Sequence, residues 1–323
     1  MEVRKDEGEY LDPAMAKITL RQFWPKFLEA SPHLRPSTLV LYTGHAEKHL
    51  LPALGDRRLS AITSLDISAF IASQQQAGVG DATVRASFRL LRTILNRAVL
   101  GNLIGRNPAI GVKVGPAPRR EMLFASAEQV ANLASAAPRR YEALIYLLAY
   151  GGLRIGEAVA LDVADLDLLR GRVEISKTVS EVAERLQVGP TKTGATRRIS
   201  LPTFLQQMLA HHIELEHTAA DGSLFSAPEG GPVRPRNFRG RVFEPARRAA
   251  GLADGFRIHD LRHTCAALLI AQGAHAKEIA ERFGHSSPVV TMSVYAHILP
   301  RLDQRLTSGL EEKFKEAMAR RTA

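Results

Sequence analysis

Apolar residues in the first hundred positions recur every three to four residues, which is the period of an amphipathic helix. The clearest segment is GDATVRASFRLLRTILNRAVLG, and its apolar stripe comprises Val84, Phe88, Leu91, Leu95 and Ala98. Three earlier segments show the same period: ITLRQFWPKFLEA, RPSTLVLYTGHAEKHLLPAL and TSLDISAFIASQQQAG. Thr19 stands where an N-cap of the first is expected, and Gly78 ends the third. The pattern predicts four helices in this part of the chain.

A stretch rich in proline and glycine, residues 105–121, interrupts the helical pattern and predicts a linker between two domains. In this interpretation residues 1–16 form a loose N-terminus and residues 17–104 a helical domain. Residues 122–300 form the second domain, and residues 301–323 form an amphipathic C-terminal tail. A chain of 323 residues is long enough to build two such cores.

In the second domain, apolar residues recur with the helical period in some segments and with the period of two of a strand in others. SAEQVANLASAA is typical of a capped helix, YEALIYLLAYGG of a buried helix, and LRIGEAVAL predicts a further helix after the Gly-Gly break. GRVEIS, ERLQVG and TRRISLP alternate with period two, which predicts a small antiparallel sheet with PTKTGATRR as the turn between its last two strands. Helical patterns return after Pro202, including HDLRHTCAALLIAQG and AKEIAERFGH. The predicted fold is mainly α with a small antiparallel β-sheet.

The charge balance indicates a polyanionic partner. Lysine and arginine number 43 against 33 acidic residues, a net charge of +10, so nucleic acid is the first expectation and a membrane surface the second. Arg85, Arg89 and Arg92 run beside the apolar stripe of the fourth helix and could follow a phosphate backbone, although such a stripe is as often a solvated face. One cysteine, no signal-peptide pattern and no apolar segment long enough to span a bilayer predict a cytoplasmic protein.

The motif HDLRHT could bind either a metal or a phosphate, because His259, Arg262 and His263 would share one side of a helix. The histidine spacing is that of a zinc-binding helix, with Asp260 in the place of the usual glutamate and His285 as a conceivable third ligand. A fixed guanidinium beside a dication costs Coulomb energy, however, and this favours a phosphate over zinc.

A phosphate site needs cations that grip oxygen atoms. Arg154 and Arg262 are candidates for clamping both non-bridging oxygens of a phosphodiester, and Glu157 lies three residues after Arg154, where it can orient that side chain. His259 and His285 can donate hydrogen bonds to the same phosphate or carry its protons.

A nucleophile and a proton donor complete the set. Tyr295 follows His285 by ten residues, and an arginine-lined pocket would favour its phenolate. Lys192, in the turn of TKTG, has a flexible stem that can bring a proton to a leaving oxygen. Each residue alone has an ordinary structural explanation, namely core packing for the tyrosine and solvation for the lysine.

The order of these motifs resembles the tyrosine recombinase (phage integrase) family. RIGE, TKTG, HDLRHT, FGHSS and VYAHIL follow each other at the family's spacing, from about residue 18 to about residue 300. The resemblance implies that Tyr295 attacks the scissile phosphate and forms a 3′-phosphotyrosine bond, and that Lys192 protonates the leaving 5′-oxygen. The residues implied to stabilise the transition state are Arg154, Arg262, His259 and His285, with Glu157 and His263 in support.

The resemblance also implies an architecture and partners. A four-helix, SAM-like core-binding domain and a catalytic domain would clamp a double-stranded DNA core site, and a homo-tetramer would assemble on two such sites. The C-terminal tail would pass to a neighbouring protomer or dock on its own domain, and accessory DNA-bending or directionality proteins are compatible with the family. No metal or nucleotide cofactor, no membrane and no separate arm-binding domain are expected.

Three other functions fit parts of the pattern. A type IB topoisomerase-like enzyme would share the chemistry and only relax DNA. A DNA-binding protein of the same fold would lack recombination activity, although every catalytic position is occupied here. A zinc hydrolase would use the two histidines of HDLRH.

Overall fold

The computed structural model describes residues 17–115, 122–182, 184–216 and 222–285, together with isolated positions 287, 289, 292, 311, 314 and 315. The chain divides into two compact units, Met1–Arg120 and Glu121–Ala323. The predicted loose N-terminus and Tyr295 lie outside the described residues, as does nearly all of the C-terminal tail. No helix in the described ranges is long and apolar enough to cross a membrane.

The described part of the first unit is helical. Its helices are α1 Leu20–Glu29, α2 Pro36–His45, α3 Leu51–Leu54, α4 Ser64–Gln76 and α5 Asp81–Leu100. The segment Ala46–Leu50 is π-helical and joins α2 to α3, so the second predicted helix is one continuous helical segment. Thr19 caps α1 as predicted, because its hydroxyl accepts from the Gln22 backbone N–H at 3.2 Å while the Gln22 side chain accepts from Thr19 N at 3.1 Å.

The apolar stripe of α5 forms the centre of the first core. The five residues of the predicted stripe are all buried, and Leu91 and Leu95 are fully so. They pack with Leu20, Leu50 and Ile67 from the preceding helical segments. The helical prediction for this region is therefore confirmed, since a one-sided stripe at a period of 3.6 leaves only one face to bury.

The described part of the second unit contains more helices than that of the first, and most of them are short. Those in its described ranges are α6 Ala127–Ser135, α7 Glu142–Tyr146, α8 Ile155–Ala158, α9 Thr203–Leu215, α10 Pro235–Asn237, α11 Glu244–Ala249, α12 Ile258–Ala271 and α13 Ala276–Phe283. A π-helical segment, Leu147–Gly151, extends α7 and packs against α12. The predicted helix of LRIGEAVAL is shorter than expected, because α8 ends after four residues.

Within the described ranges the strands form two small sheets instead of the single predicted sheet. Strands β1 Leu166–Asp167, β2 Arg172–Ile175 and β5 Arg197–Ser200 pair antiparallel in the order β1-β2-β5, while β3 Lys177–Val182 pairs with β4 Arg185–Pro190. The expectation that β4 pairs with β5 was wrong. A two-residue connection makes β3 the local partner of β4, and the connection 191–196 then crosses from one sheet to the other.

Candidate active site

Arg154 is set in place by a glycine that no other residue could replace. Gly152 has φ +73°, and a Cβ there would lie 2.5 Å from the ring of Phe283, so both conformation and space require glycine. Arg154 follows with an extended backbone and caps α8. Glu157 accepts a hydrogen bond from the Arg154 backbone N at 2.9 Å and another from its Nη1 at 2.8 Å. The structure therefore holds Arg154 against Glu157 through main chain and side chain together.

Glu157 also binds a second arginine, which the sequence analysis did not single out. Arg197 on β5 donates from Nη1 to Oε1 at 3.1 Å and from Nη2 to Oε2 at 2.7 Å. The Glu157 side chain is only 1% exposed. Burial would raise its pKa, but the hydrogen bonds and charge of Arg197, and then those of Arg154, hold the pKa at about 2. Glu157 is therefore an anion that fixes two guanidinium groups.

Arg262 lies on α12 and is buried, with 2% of its surface exposed. Its Nη1 donates to the carbonyl of Gly152 and its Nη2 to the carbonyl of Phe283, both at 2.6 Å. The guanidinium also lies over the Phe283 ring, 4.1 Å from the centroid. Both carbonyls stand at the C-terminal ends of helical segments, where the helix dipole stabilises a cation.

His285 is brought to Arg262 by the end of α13. Gly284 has φ +63° and terminates the helix, so the chain turns and places His285 Nε2 3.1 Å from Nη2 of Arg262. Burial, followed by the charges of Arg262, Arg154 and Arg197, lowers the pKa of His285 to about 4. His285 is therefore neutral at pH 7.

His259 and His263 lie one turn apart on α12, with ring centroids 4.8 Å apart in an edge-to-face arrangement. The pKa of His259 is lowered to about 4, first by desolvation and then by the charges of His263, Arg262 and Arg154. His259 nevertheless stays accessible to solvent. Burial is also the main cause that lowers the pKa of His263.

Taken together, these residues form a cationic site with neutral imidazoles. Arg154 and Arg262 are linked through the Gly152 segment, and the charges of both act on His259 and His285. Such a set can grip the non-bridging oxygens of a phosphodiester with guanidinium forks and donate further N–H groups to them.

Lys192 and Tyr295 complete the predicted set. Lys192 is exposed in the turn that follows β4, where Gly194 N donates to the carbonyl of Thr191 at 2.9 Å. Tyr295 lies outside the described residues, ten positions after His285. The roles assigned to both therefore stay predictions.

The arginine stripe of α5 divides into one paired and two exposed side chains. Arg85 lies 3.5 Å from the carboxylate of Asp81 and donates to the carbonyl of Gly115, and its side chain is 18% exposed. Arg89 and Arg92 are exposed. The stripe therefore offers at least two solvent-facing cations on one helix of the first unit.

Asp260 stands where a zinc-binding helix carries its glutamate, but its carboxylate is already hydrogen-bonded within the protein. Its carboxylate is 1% exposed and accepts hydrogen bonds from the Arg257 backbone N at 2.7 Å and from Arg257 Nη2 at 3.1 Å, which caps α12. Within the ranges that the structure describes, no group of three or more His, Cys, Asp or Glu side chains is arranged to hold a metal ion. The donors around HDLRH, two of them permanent cations, suit an anion.

Sequence reasoning missed Arg197, and with it Arg282. The pair Glu157–Arg197 spans 40 positions of the chain, and Arg282 on α13 reaches the carbonyl of Ser200 at 3.1 Å across 82 positions. The one local signal was that Arg197 opens the alternating strand RRIS. That position marks Arg197 for one face of β5 but does not identify its partner.

Comparison with known proteins identifies the family of the chain. A profile of the Phage integrase family matches residues 121–301, and the profile of the phage integrase N-terminal SAM-like domain matches residues 19–73. The integrase of Mycobacterium phage D29 is 28% identical over 294 residues, covering 86% of this chain and 75% of that protein.

Solved structures share the fold. The Tn1549 transposon integrase in complex with circular intermediate DNA superposes with a TM-score of 0.79 at 19% identity, covering 90% of this chain and 99% of that one. A lambda integrase tetramer bound to a Holliday junction superposes with a TM-score of 0.68 at 18% identity, covering 86% and 77%. The mainly helical fold with small antiparallel sheets is therefore confirmed. With more than half of its length matched by one family profile, the chain belongs to the phage integrase family of tyrosine recombinases.

Proposed function

We propose that the protein is a site-specific DNA recombinase that cleaves and rejoins strands through a 3′-phosphotyrosyl bond to Tyr295, without metal or nucleotide. One observation carries the proposal. Arg262 of α12 is buried against the carbonyl of Gly152, two residues before Arg154, so the turn at Gly152 joins the segments of both arginines, and the charges of both act on neutral His285. An arrangement of fixed cations and neutral N–H donors stabilises charge that develops on a phosphoryl group.

The reaction is a transesterification. The Tyr295 oxygen would attack the scissile phosphorus, the bond from phosphorus to the 5′-oxygen would break, and Lys192 would give that oxygen its proton. Arg154 and Arg262 would hold the non-bridging oxygens during attack, and His259 and His285 would donate hydrogen bonds to them. The phosphodiester is exchanged, not hydrolysed, so a 5′-hydroxyl from another strand can attack the phosphotyrosine and release the tyrosine.

The supporting residues keep these groups in place. Glu157 would hold Arg154 through the two hydrogen bonds described above, and His263 would support His259 through the contact between their rings. Neither residue needs to touch the DNA for this role.

Binding to DNA would use both units. Residues 17–104 would form the core-binding domain, residues 105–121 the linker and residues 122–300 the catalytic domain, with Arg85, Arg89 and Arg92 directed to phosphates. The match of the SAM-like profile and the exposure of Arg89 and Arg92 support this assignment. The lambda integrase tetramer supports assembly as a homo-tetramer on two core sites, with residues 301–323 exchanged between protomers or docked in cis.

A suicide substrate tests the proposal. A duplex that carries a candidate core site from the locus beside the gene, with a nick that lets the cleaved fragment diffuse away, traps the covalent intermediate. The wild type and Tyr295→Phe are incubated with it in EDTA and resolved on denaturing gels. We expect an adduct that survives EDTA and is absent from the Phe variant.

The alternatives give different results in the same series. Adduct formation with relaxation of supercoiled DNA, but no strand exchange between two sites, would identify a topoisomerase-like enzyme. Salt-sensitive DNA binding with no adduct on any core site would identify a DNA-binding protein without recombination activity. Loss of activity in EDTA with Tyr295→Phe still active would contradict the proposal.

A further inference from the structure

Arg197 contacts two segments that carry predicted catalytic residues. Its Nη groups bind both carboxylate oxygens of Glu157, the residue that holds Arg154. Its Nε donates to the carbonyl of Arg282 at 2.9 Å, three residues before His285. Every nitrogen of this guanidinium is thus committed to one of the two segments, and the side chain is only 10% exposed.

A second arginine makes the reciprocal contact. Arg282 on α13 donates from Nη1 to the carbonyl of Ser200 on β5 at 3.1 Å, while Arg197 on β5 donates to the carbonyl of Arg282. Two arginines therefore tie β5 to the end of α13 in opposite directions. A Cβ on Gly284 would lie 3.2 Å from Arg197, so the backbone beside His285 passes directly over this side chain.

Arg197 also follows the connection that carries Lys192. Residues 191–196 join β4 to β5, and Arg197 is the first residue of β5. A strand that is fixed at its first residue fixes the exit of the preceding loop. Arg197 thus bonds α8 and the end of α13 through its guanidinium and continues the Lys192 loop through its backbone.

We propose that Arg197 is a positioning residue for strand cleavage. Its bidentate bond to Glu157 holds Arg154 in place, and its bond to the Arg282 carbonyl holds His285. Its place at the start of β5 fixes the exit of the Lys192 loop. This rests on the proposed recombinase function. In this proposal Arg197 acts through Arg154 and His285 and not on the phosphate, since its Nε, Nη1 and Nη2 bond the Arg282 carbonyl and the Glu157 carboxylate. Lysine cannot substitute, since a single ammonium lacks the planar fork that spans both partners.

The test compares four proteins: wild type, Arg197→Gln, Arg197→Lys and Arg198→Gln. Arg198 is the matched control, because it is the next residue of β5, is 72% exposed and pairs with Glu174 at the surface. Each protein is assayed for the rate of adduct formation on the suicide substrate, for its affinity for the same DNA and for its thermal unfolding. We expect adduct formation to slow by about 100-fold in both Arg197 variants, the effect of a small misplacement of reacting groups.

A structural role alone would not produce that pattern. Affinity for DNA should stay at the wild-type level in both Arg197 variants, since the loss is in positioning and not in phosphate contacts. Arg198→Gln should keep the wild-type rate, which excludes a general effect of one lost charge on β5. Where Arg197→Gln fails to fold, Arg197→Lys keeps the charge beside buried Glu157, and the double variant Glu157→Gln/Arg197→Gln removes the unpaired carboxylate.

Histidine NMR supplies a readout that needs no turnover. In protein labelled with ¹⁵N-histidine, and with the His285 signals assigned through His285→Gln, the wild type should show a single neutral tautomer with the proton on Nδ1. Arg197→Gln should show a mixture of tautomers, because the end of α13 loses one of its ties.

The outcomes separate the two proposals. The positioning role is supported if adduct formation is slow in both Arg197→Gln and Arg197→Lys while DNA binding is normal and the His285 tautomer is changed. Wild-type adduct rates in Arg197→Gln, or full rescue by Arg197→Lys, overturn it. If the wild type forms no adduct but the His285 tautomer still depends on Arg197, the recombinase function fails while the positioning geometry stands. An unchanged tautomer in Arg197→Gln counts against the positioning role in either case.

Discussion

Nη2 of Arg262 lies 3.1 Å from Nε2 of His285 and donates a hydrogen bond to it. A guanidinium can only donate, so Nε2 must be the acceptor and the imidazole must be neutral with its proton on Nδ1. The same Nη2 group also holds the carbonyl of Phe283 at 2.6 Å. While the two side chains are held in this position, Arg262 therefore requires the neutral His285 tautomer with its proton on Nδ1.

This relationship predicts how the protein responds to acid. Burial and the nearby arginines lower the pKa of His285 to about 4 from the ordinary 6.5, so the unfolded chain takes up the proton first as the pH falls. Neutral His285 makes its whole contribution to the free energy of unfolding above pH 6.5, and this contribution is lost as the pH falls from 6.5 to about 4. Urea unfolding at several pH values should show this fall, and His285→Gln, which keeps an acceptor but cannot titrate, should show a smaller one. An equal fall in both proteins would contradict the assignment.

Replacing Arg262 by lysine should impair cleavage without abolishing binding to DNA. The ammonium keeps the charge but cannot reach the Gly152 carbonyl, the Phe283 carbonyl and His285 together. We expect adduct formation to slow by about 10²- to 10³-fold, the usual cost of removing one transition-state donor. Arg257→Lys is the control, because Arg257 lies at the N-cap of the same helix and is 47% exposed. A similar loss in both variants would indicate damage to α12 and not to the site.

Glu157 should contribute to stability as well as to the site. Its carboxylate is 1% exposed and neutralises Arg197 and Arg154, so Glu157→Gln leaves two guanidinium groups without their anion. Breaking a buried ion pair from one side costs about 3–5 kcal/mol, and we expect a loss of that order in the free energy of unfolding. Because the pKa of Glu157 is about 2, below its ordinary 4.5, this contribution is full above pH 4.5 and is lost as the pH falls toward 2. Chemical denaturation at pH 7 and pH 3 measures both effects, and equal stability of the two proteins at pH 7 would refute the role.

The helices were predictable where one face alone is apolar. In α5 the stripe from Val84 to Ala98 leaves a single way to bury the helix, and Thr19 and Gln22 form a cap that local sequence encodes. The contacts Arg154–Glu157 and His259–His263 were predictable for a similar reason, because spacing within one segment determines which side chains meet.

The sheet pairing and Arg197 were not predictable in this way. Alternation identifies a strand but not its neighbour, and KTVSEV, which became β3, contains too few apolar residues to stand out. The partner of β4 was decided by a two-residue connection to β3. The bond between Arg197 on β5 and Glu157 on α8 joins positions 40 residues apart, and no local spacing encodes a contact at that distance along the chain.

The exposed arginines of α5 should govern the salt dependence of DNA binding. Each phosphate contact releases counterions and adds about 0.9 to the slope of log K against log salt. The double variant Arg89→Gln/Arg92→Gln should lower that slope by about 2 if both side chains bind phosphates. Arg21→Gln is the control, because Arg21 already pairs with Asp56 at 2.8 Å in the same unit. A slope that is unchanged in the double variant would show that Arg89 and Arg92 of α5 do not contact DNA phosphates.

The identity of the nucleophile is the central claim, and mass spectrometry of the trapped adduct tests it most directly. After nuclease digestion, trypsin would release residues 283–301, FGHSSPVVTMSVYAHILPR, in which Tyr295 is the only tyrosine. We predict a nucleotide attached through its 3′-phosphate to Tyr295, with a free 5′-hydroxyl on the released strand. A nucleotide on one of the serines or the threonine of this peptide, or a 5′-phosphate linkage, would contradict the proposed mechanism.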